Sequence, residues 1–428
     1  MDNIQIINFN GGGTLIYQNS TRNKATSVLV GFGVGTVSNT QNGIAHFTEH
    51  MLFKGTGKRS KEQLENDLRD YCGNSFNAFT GLDYTVFAFN RVNTLLDNAF
   101  ELASDILLNS SINKRIVDNE RSVILEEYNM SEDTAKYNID VEHHNIIFNR
   151  NFDNRISIGN KEDLDKITAK SITEFKKKFY VRENFVISVV GSEKLSKIKK
   201  LVKKYFLNNL PISEKPNKVE HNVKVVQESG YQILKKETDN VLVNISLKSV
   251  GYNDVVRSSV TKIINEYLSG GVDGKLFKAV RDKGLAYVIY TDREMFKENG
   301  TFNITFESTK ENVNKVIDEI GKVINDIRKN GIEESEIQKT KNNFIYYMSE
   351  IDVTNFKKAL SNLDKFIIGK PYIDKEYTNR LLGTTKEVVD EYFVDLFDTS
   401  TPIYVTIGGK VKQGEVYSFD EIKNKLLK

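Results

Sequence analysis

The stretch TLIYQNSTRNKATSVLVGFGVG, residues 14–35, contains two apolar, β-rich runs separated by a polar turn. The same pattern returns about half a chain later in YQILKKETDNVLVNISLKSVG, residues 231–251. Paired apolar runs across a turn predict neighbouring β-strands. Because the pattern recurs at half the chain length, it also predicts an internal repeat in which one domain plan is used twice.

The helical segments repeat in the same order. Residues 95–130 and 313–348 each predict two amphipathic helices with a short polar break, because apolar residues recur at helical spacing. Each half then closes with an apolar strand followed by a helix that contains lysine. These closing segments are FVISVVG (185–191) with LSKIKKLVKKYF (195–206), and IYVTIGG (403–409) with FDEIKNKLL (419–427).

The repeat predicts both the fold class and the domain boundaries. Strands and helices interleave, but AFTGLDYTVFAF (78–89) has the spacing of a hairpin, which favours mixed, largely antiparallel sheets over a doubly wound parallel sheet. Residues 208–229 are polar and hold two of the four prolines, which is typical of a linker. We therefore expect two homologous α+β domains, at residues 1–207 and 230–428.

Composition excludes several classes of protein. The 428 residues include 60 basic and 58 acidic side chains, and this balance argues against a nucleic-acid binder. The single cysteine, Cys72, excludes an intrachain disulfide and fits a reducing compartment. The sequence predicts neither a secretory signal nor a membrane span, since it shows no basic segment leading into an apolar one at its start and no 18-residue apolar run. We expect a cytoplasmic globular protein.

The strongest local signal is GIAHFTEHMLF (43–53), whose apolar residues have helical spacing. On a helix, His46 and His50 lie on one face one turn apart, where both imidazoles can bind one zinc ion at about 2.0–2.1 Å. Glu49 shares that edge and is well placed to take a proton from the attacking water as general base. The motif therefore predicts a catalytic zinc site.

A catalytic zinc normally needs a third protein ligand. Candidates are Glu120, Glu126 and Glu127 in NERSVILEEYNM (119–130). Positions seven apart on a helix return to nearly one face, so Glu120 and Glu127 point together while Glu126 is turned by about 100°. Spacing leaves two assignments open, because either glutamate could bind the ion while the other hydrogen-bonds a ligand histidine.

The inverted motif HxxEH is typical of inverzincins, and the sequence resembles the pitrilysin-type (M16) metallopeptidases, which include mitochondrial processing peptidase. Further segments that look like family blocks are SFNAFTGLDYTVF and SGGVDGKLFKAVRDKGLAYVIY. In that family 76 residues separate the motif from a ligand glutamate, which leads from His50 to Glu127. The resemblance implies that His46, His50 and Glu127 bind Zn²⁺, that Glu49 is the base and that Glu120 supports the site.

The resemblance also implies how a peptide is held. Two short chains of this kind, or one chain and a related partner, would form a clamshell around the substrate. Residues 75–89 fall where the family places a substrate-binding edge strand, to which an extended peptide adds through backbone hydrogen bonds; the alternative is an ordinary internal hairpin. The expected substrate-binding residues are Ser75, Phe76, Asn77, Ala78, Phe79 and Thr80.

Family members carry an Arg and a Tyr in the second domain that help to bind substrate and stabilise the oxyanion. The corresponding residues here are Arg281 and Tyr287, which lie six positions apart where the family usually has seven. The shortened spacing leaves a second interpretation open, in which Arg281 is a surface charge and Tyr287 packs inside a strand.

Aligning the two halves predicts one zinc ion per chain. The alignment places Lys262, Asn265 and Glu266 opposite the HxxEH residues, and Tyr347 opposite Glu127. The second half therefore lacks a metal-binding set. We expect it to serve as a lid and a substrate wall.

The leading hypothesis is a zinc-dependent endopeptidase that hydrolyses unfolded peptides or leader segments, working as a homodimer or a heterodimer with a related chain. A second hypothesis makes the chain the zinc-bearing subunit of a heterodimeric peptidase that needs its partner. A third, from a different class, is a non-enzymatic assembly subunit, since the family includes inactive members.

Overall fold

The computed structural model describes residues 4–21, 24–38, 40–73, 76–132, 134–148, 158–213, 223–351, 354–369 and 375–428. The chain forms two compact units, and each draws on separate stretches of sequence. The first unit comprises Met1–Met130, Asp153–His221 and Met348–Lys370, and the second comprises Ser131–Phe152, Asn222–Tyr347 and Pro371–Lys428.

The described residues form eleven strands: β1 (Ile4–Asn8), β2 (Thr14–Asn19), β3 (Ala25–Phe32), β4 (Asn77–Thr80), β5 (Thr85–Val92), β6 (Phe185–Gly191), β7 (Gly230–Lys235), β8 (Asn240–Val250), β9 (Val288–Met295), β10 (Asn299–Thr309) and β11 (Ile403–Gly409). They also form sixteen α-helices: α1 (Ile44–Leu52), α2 (Lys61–Asp67), α3 (Leu96–Asn109), α4 (Lys114–Glu132), α5 (Ala135–Phe148), α6 (Lys161–Lys166), α7 (Ala169–Phe179), α8 (Leu195–Val202), α9 (Val255–Ser269), α10 (Lys275–Arg281), α11 (Val313–Asn330), α12 (Glu334–Ile351), α13 (Asn355–Ile368), α14 (Lys375–Gly383), α15 (Lys386–Leu396) and α16 (Phe419–Leu427).

The first unit contains a six-stranded sheet in the order β1-β2-β6-β3-β5-β4. Strands β2 and β6 pair in parallel, and the other neighbours pair antiparallel. A single apolar core covers one face of this sheet, and α1, α3 and α7 contribute buried residues such as Phe47, Phe100 and Phe175 to it. The α+β class expected from the sequence is confirmed.

The second unit repeats this plan in a five-stranded sheet, β7-β11-β8-β10-β9. Here β7 and β11 pair in parallel, while β8, β10 and β9 continue antiparallel. The order matches β2-β6-β3-β5-β4 of the first unit, strand for strand. The internal repeat inferred from residues 14–35 and 231–251 is therefore confirmed at the level of topology.

Two helices pack on the sheet that is formed mainly by the other half of the sequence. In the second unit, α5 packs on the sheet so closely that a Cβ on Gly408 would lie 2.2 Å from Ile139. In the first unit, α13 packs on β3, where a Cβ on Gly31 would lie 3.0 Å from Leu363. These glycines occupy their positions because a side chain would push the helix off the sheet.

The compact units consequently differ from the contiguous domains expected at 1–207 and 230–428. Residues 131–152 belong to the second unit and residues 348–370 to the first. An amphipathic pattern shows that a helix has an apolar face but not which sheet that face covers. Within the expected linker 208–229, residues 214–222 lie outside the described residues. Val223 and Val225 are buried in the second unit.

Candidate metal centre

Helix α1 presents the HxxEH motif on a rigid element. Its apolar residues Ile44, Phe47, Met51 and Leu52 are buried in the core, which fixes the opposite edge as the one that carries the histidines. The helix begins after Gly43, whose φ of 75° is left-handed. A Cβ there would lie 2.2 Å from the Ile158 carbonyl oxygen, so glycine is required for this approach.

His46, His50 and Glu127 come together as one cluster, with one possible ligand atom from each lying within 4.8 Å of the others. His46 Nε2 lies 3.8 Å from Glu127 Oε1, and His50 Nε2 lies 3.6 Å from Glu127 Oε2. Glu127 is contributed by α4, and its side chain is 46% exposed. No other group of His, Cys, Asp and Glu in the described ranges meets these distances.

Glu120 orients one of the ligands. His50 Nδ1 lies 2.8 Å from Glu120 Oε1, and Lys54 Nζ lies 2.6 Å from Glu120 Oε2. Burial tends to raise the pKa of Glu120, but the hydrogen bonds from His50 and Lys54 outweigh it and lower the pKa. An ionised Glu120 accepts a hydrogen bond from the Nδ1–H group of His50, and this tautomer leaves the Nε2 lone pair of His50 directed at the cluster.

His46 is suited to be a neutral ligand. Burial, and then the charge of His50, lowers the pKa of His46 to about 4, so its imidazole is unprotonated at neutral pH. A metal ligand must be in that form. His46 Nδ1 is buried and has no hydrogen-bond partner among the described residues. The two histidines therefore differ, since only His50 has a carboxylate behind it.

The donor set fits zinc. Two nitrogens and a carboxylate oxygen are the ligands of many catalytic zinc sites, and such ligands on a tetrahedral ion lie about 3.3 Å apart. The observed 3.6 and 3.8 Å are close to that separation. His46, His50 and Glu127 would hold the ion, as the family pattern implies.

Glu49 lies beside this cluster and is 8% exposed. Thr80 Oγ1 donates a hydrogen bond of 2.6 Å to Glu49 Oε2. Burial raises the pKa of Glu49, with a smaller contribution from the charge of Glu127, while the Thr80 hydrogen bond and His50 act in the opposite direction. A carboxylate that a hydrogen bond holds in place beside the cluster is suited to act as a general base.

The strand predicted to bind substrate is at the edge of its sheet. β4 pairs with β5 on one side and stands last in the sheet order of the described residues. Asn77, Ala78, Phe79 and Thr80 form it, and Phe76 precedes it. Ser75 lies outside the described residues.

A cavity of about 470 Å³ adjoins Glu49 and His50. Phe53 and Phe76 line it with their ring centroids 5.4 Å apart. Charged side chains also line the cavity: Lys54, Glu65 and Arg69. Aromatic and charged side chains therefore line this cavity next to the candidate base.

Comparison with known proteins decides the family. The model described as insulinase (peptidase family M16) matches residues 14–157, and the model described as peptidase M16 inactive domain matches residues 166–344. The chain belongs to the M16 peptidase family. The candidate metal cluster lies within the first of these matches.

M16 relatives include proteins that are named zinc proteases. The uncharacterized zinc protease YmxG of Bacillus subtilis is 26% identical over 387 residues, which cover 87% of this chain and 90% of that protein. The uncharacterized zinc protease SCO5738 of Streptomyces coelicolor is 28% identical over 301 residues, covering 69% of this chain and 65% of the relative. A solved peptidase M16 inactive domain from Pseudomonas fluorescens has the same fold, with a TM-score of 0.86 at 16% identity over 96% of this chain and 99% of that one.

The Arg and Tyr of the M16 pattern contact each other in the second unit. The Arg281 guanidinium lies 4.7 Å from the ring centroid of Tyr287 and donates a 2.6 Å hydrogen bond to the Tyr287 carbonyl oxygen. Tyr287 is 75% exposed, so it is not a residue of a strand core. The assignment of both residues to oxyanion binding stays a prediction.

In the second unit, the residues that align with the HxxEH motif and Glu127 have partners of their own. Lys262 Nζ lies 4.2 Å from the ring centroid of Phe344 and 4.7 Å from that of Tyr347. Asn343 donates a 3.3 Å hydrogen bond to Glu266. At these positions the second unit has the Lys262 ammonium group over two aromatic rings in place of the metal-binding side chains of the first unit. This agrees with the match of residues 166–344 to the model described as peptidase M16 inactive domain.

Two contacts of the site were missed from the sequence. Lys54 follows the end of α1 and reaches Glu120 on α4, a contact between separate elements that no local spacing signals. The hydroxyl of Thr80 is bonded to Glu49, and the expected role of Thr80 in substrate binding stays a prediction. The only available signal was period-two alternation along β4, which puts Thr80 and Ala78 on the same face.

Proposed function

We propose that this chain is a zinc-dependent endopeptidase that hydrolyses unfolded peptides or leader segments. The observation that carries the proposal is the convergence of His46, His50 and Glu127 beside a buried Glu49. Relatives named zinc proteases support the metal and the reaction class.

Glu49, Thr80 and Glu120 would have different roles in the reaction. Bound zinc supplies a Lewis acid that polarises the scissile carbonyl and lowers the pKa of water. Glu49 takes a proton from the attacking water as the new C–O bond forms, and later gives that proton to the amine as the C–N bond breaks. Thr80 keeps one oxygen of Glu49 in place, and Glu120 keeps His50 oriented.

The substrate would add to β4 as an extended strand. An edge strand offers unpaired backbone groups, so a peptide can bind largely regardless of its sequence. A side chain near the scissile bond would enter the 470 Å³ cavity between Phe53 and Phe76. Unfolded segments suit this mode, because a folded protein does not present a free extended strand.

The second unit would act as a substrate wall, with Arg281 and Tyr287 directed at the developing oxyanion in the way the family pattern implies. The active form would be a homodimer, or a heterodimer with a related chain that supplies this pair. A second candidate function, a non-enzymatic assembly subunit, is disfavoured because His46, Glu49, His50 and Glu127 are all present.

The test compares purified wild type with Glu49→Gln on a quenched, unstructured peptide. Glu49→Gln should retain zinc, because the ligand set is intact, and should lose cleavage. Zinc content and oligomeric mass are measured on the same samples, together with zinc-depleted wild type as a control. Retained turnover in Glu49→Gln would contradict the role of Glu49 as general base, and turnover that does not need zinc would contradict a zinc-dependent endopeptidase.

A further inference from the structure

The first unit contains a second and larger cavity, of about 990 Å³. The end of α3, the helix α7 and residues 204–211 line it. None of the metal-cluster residues, nor Glu49 or Glu120, is among its lining residues. The cavity is therefore separate from the candidate metal centre, and what it binds does not depend on the proposed function.

The acidic side chains of this cavity already have partners. Asp105 accepts hydrogen bonds from Arg59 at 2.6 Å, from Thr56 at 2.7 Å and from Asn109 at 2.9 Å. Glu101 is bound by the same Arg59 guanidinium at 2.6 Å. These carboxylates are held on the α3 side of the cavity and face a cation of their own.

The basic side chains on the α7 side lack such partners. Lys176 Nζ lies 2.6 Å from Ser110 Oγ and makes no ion pair with a carboxylate in the described part of the chain. Lys177, next to it, is exposed and likewise has no ion pair with any described acidic group. Burial lowers the pKa of Lys176 to about 8. Lys176 is half-buried, and an ammonium group that is partly removed from water without a counter-charge is unfavourable to the fold.

Other lining residues give this site more than charge. Ser110 offers a hydroxyl, and Asn208 and Asn209 offer amides, beside the lysines. Leu108 and Tyr205 supply apolar surface in the same cavity. A volume of about 990 Å³ is at the upper end of the range for small-molecule sites. A bare oxyanion would use only a small part of it.

We propose that this cavity binds a small phosphate ester. The phosphate would be held by Lys176, Ser110 and Lys177, and the organic part would lie against Leu108 and Tyr205. The ligand would supply the counter-charge that Lys176 lacks. Lysine binds phosphate as a point charge, and hydroxyl and amide donors complete the oxygen shell.

Phenyl phosphate and inorganic phosphate are the probes, titrated calorimetrically into the full-length protein at constant ionic strength. Phenyl phosphate should bind more tightly than inorganic phosphate, because only the ester uses the apolar wall. Lys176→Met should weaken phenyl phosphate binding by about 10- to 100-fold, the loss expected for a hydrogen bond to a charged group. Lys178→Met is the matched control, since Lys178 lies on the same helix but against the Phe179 ring and does not line the cavity.

A second measurement uses wild type alone and so does not depend on a variant. Acetic anhydride labelling at pH 8, followed by mass spectrometry, should show that phenyl phosphate protects Lys176 and leaves Lys178 unchanged. The proposal is overturned by absent binding, by equal binding of the two probes, by binding that survives Lys176→Met, or by equal protection of both lysines.

Discussion

Replacing Thr80 by valine removes one hydroxyl next to the candidate base and little else. Valine has nearly the same shape as threonine, so the edge strand β4 keeps its side-chain volume at this position. The lost contact is the 2.6 Å hydrogen bond that Thr80 Oγ1 donates to Glu49 Oε2. Glu49 is 8% exposed, so solvent has little room to replace the donor.

The size of the effect follows from this geometry. A hydrogen bond to a charged group contributes about 1.5–3 kcal/mol, and about 1.4 kcal/mol corresponds to a tenfold change in rate. If Thr80 holds Glu49 in the position required for proton transfer, kcat should fall by about 10- to 100-fold. The KM should stay within about twofold, because the backbone edge of β4 that pairs with the peptide is unchanged.

The assay is steady-state cleavage of a quenched, unstructured peptide by zinc-loaded protein. Thr80→Ser is the control, since it keeps the hydroxyl and should recover most of the lost kcat. Zinc content and the thermal unfolding temperature are recorded for every variant, to separate positioning from loss of metal or fold. A Thr80→Val enzyme with unchanged kcat, or one whose KM alone rises, would refute the positioning role.

Three further predictions concern charge. Glu120→Gln should weaken zinc binding by about 10- to 100-fold, because His50 loses the carboxylate that orients it. Glu127→Gln should weaken zinc binding more, because a ligand is lost. Chelator competition measures both affinities, and a larger loss in Glu120→Gln would exchange the roles of the two glutamates. Burial lowers the pKa of His143 to about 3 from 6.5. The unfolded chain therefore binds this proton first as the pH falls, and the free energy of unfolding should drop between pH 6.5 and 3. In acid denaturation, His143→Gln should reduce this fall in the free energy of unfolding by about 2–4 kcal/mol. An unchanged dependence of that free energy on pH between 6.5 and 3 would contradict the lowered pKa of His143. Arg59→Met should lower the free energy of unfolding by about 3–5 kcal/mol, because it leaves the buried Asp105 carboxylate without its counter-charge. The double variant Arg59→Met with Asp105→Asn should recover part of the lost stability, as measured by chemical denaturation. If the effects of the two substitutions simply add, Arg59 and Asp105 do not interact energetically.

The sequence predicted those parts of the fold that depend on local periodicity. The two helices expected within residues 95–130, and the hairpin of β4 and β5, follow from apolar spacing and turn residues, and the structure has them as α3 and α4 and as the β4–β5 pair. The HxxEH spacing placed both histidines on one face of α1. Spacing alone left Glu120 and Glu127 equivalent, and only the family resemblance favoured Glu127 as the ligand.

The remaining features depend on contacts between distant segments, which local patterns do not encode. Thr80 and Glu49 are 31 positions apart. Lys54 and Glu120 meet only because α1 and α4 pack together. Likewise, His143 has a hydroxyl on each ring nitrogen, from Thr406 at 2.9 Å and Ser246 at 2.7 Å, and these partners lie far along the chain.

The exchange of α5 and α13 between the sequence halves has a consequence for how the chain is made. Leu363 and Ala359 on α13 bury Leu29, Val86 and Val190, which belong to the sheet of the unit that contains the candidate metal centre. During synthesis that face of the sheet stays uncovered until about residue 370 has left the ribosome, so the first unit cannot be completed as an amino-terminal domain. A chain cut at residue 207 would expose those side chains and should aggregate, whatever the condition of its zinc ligands.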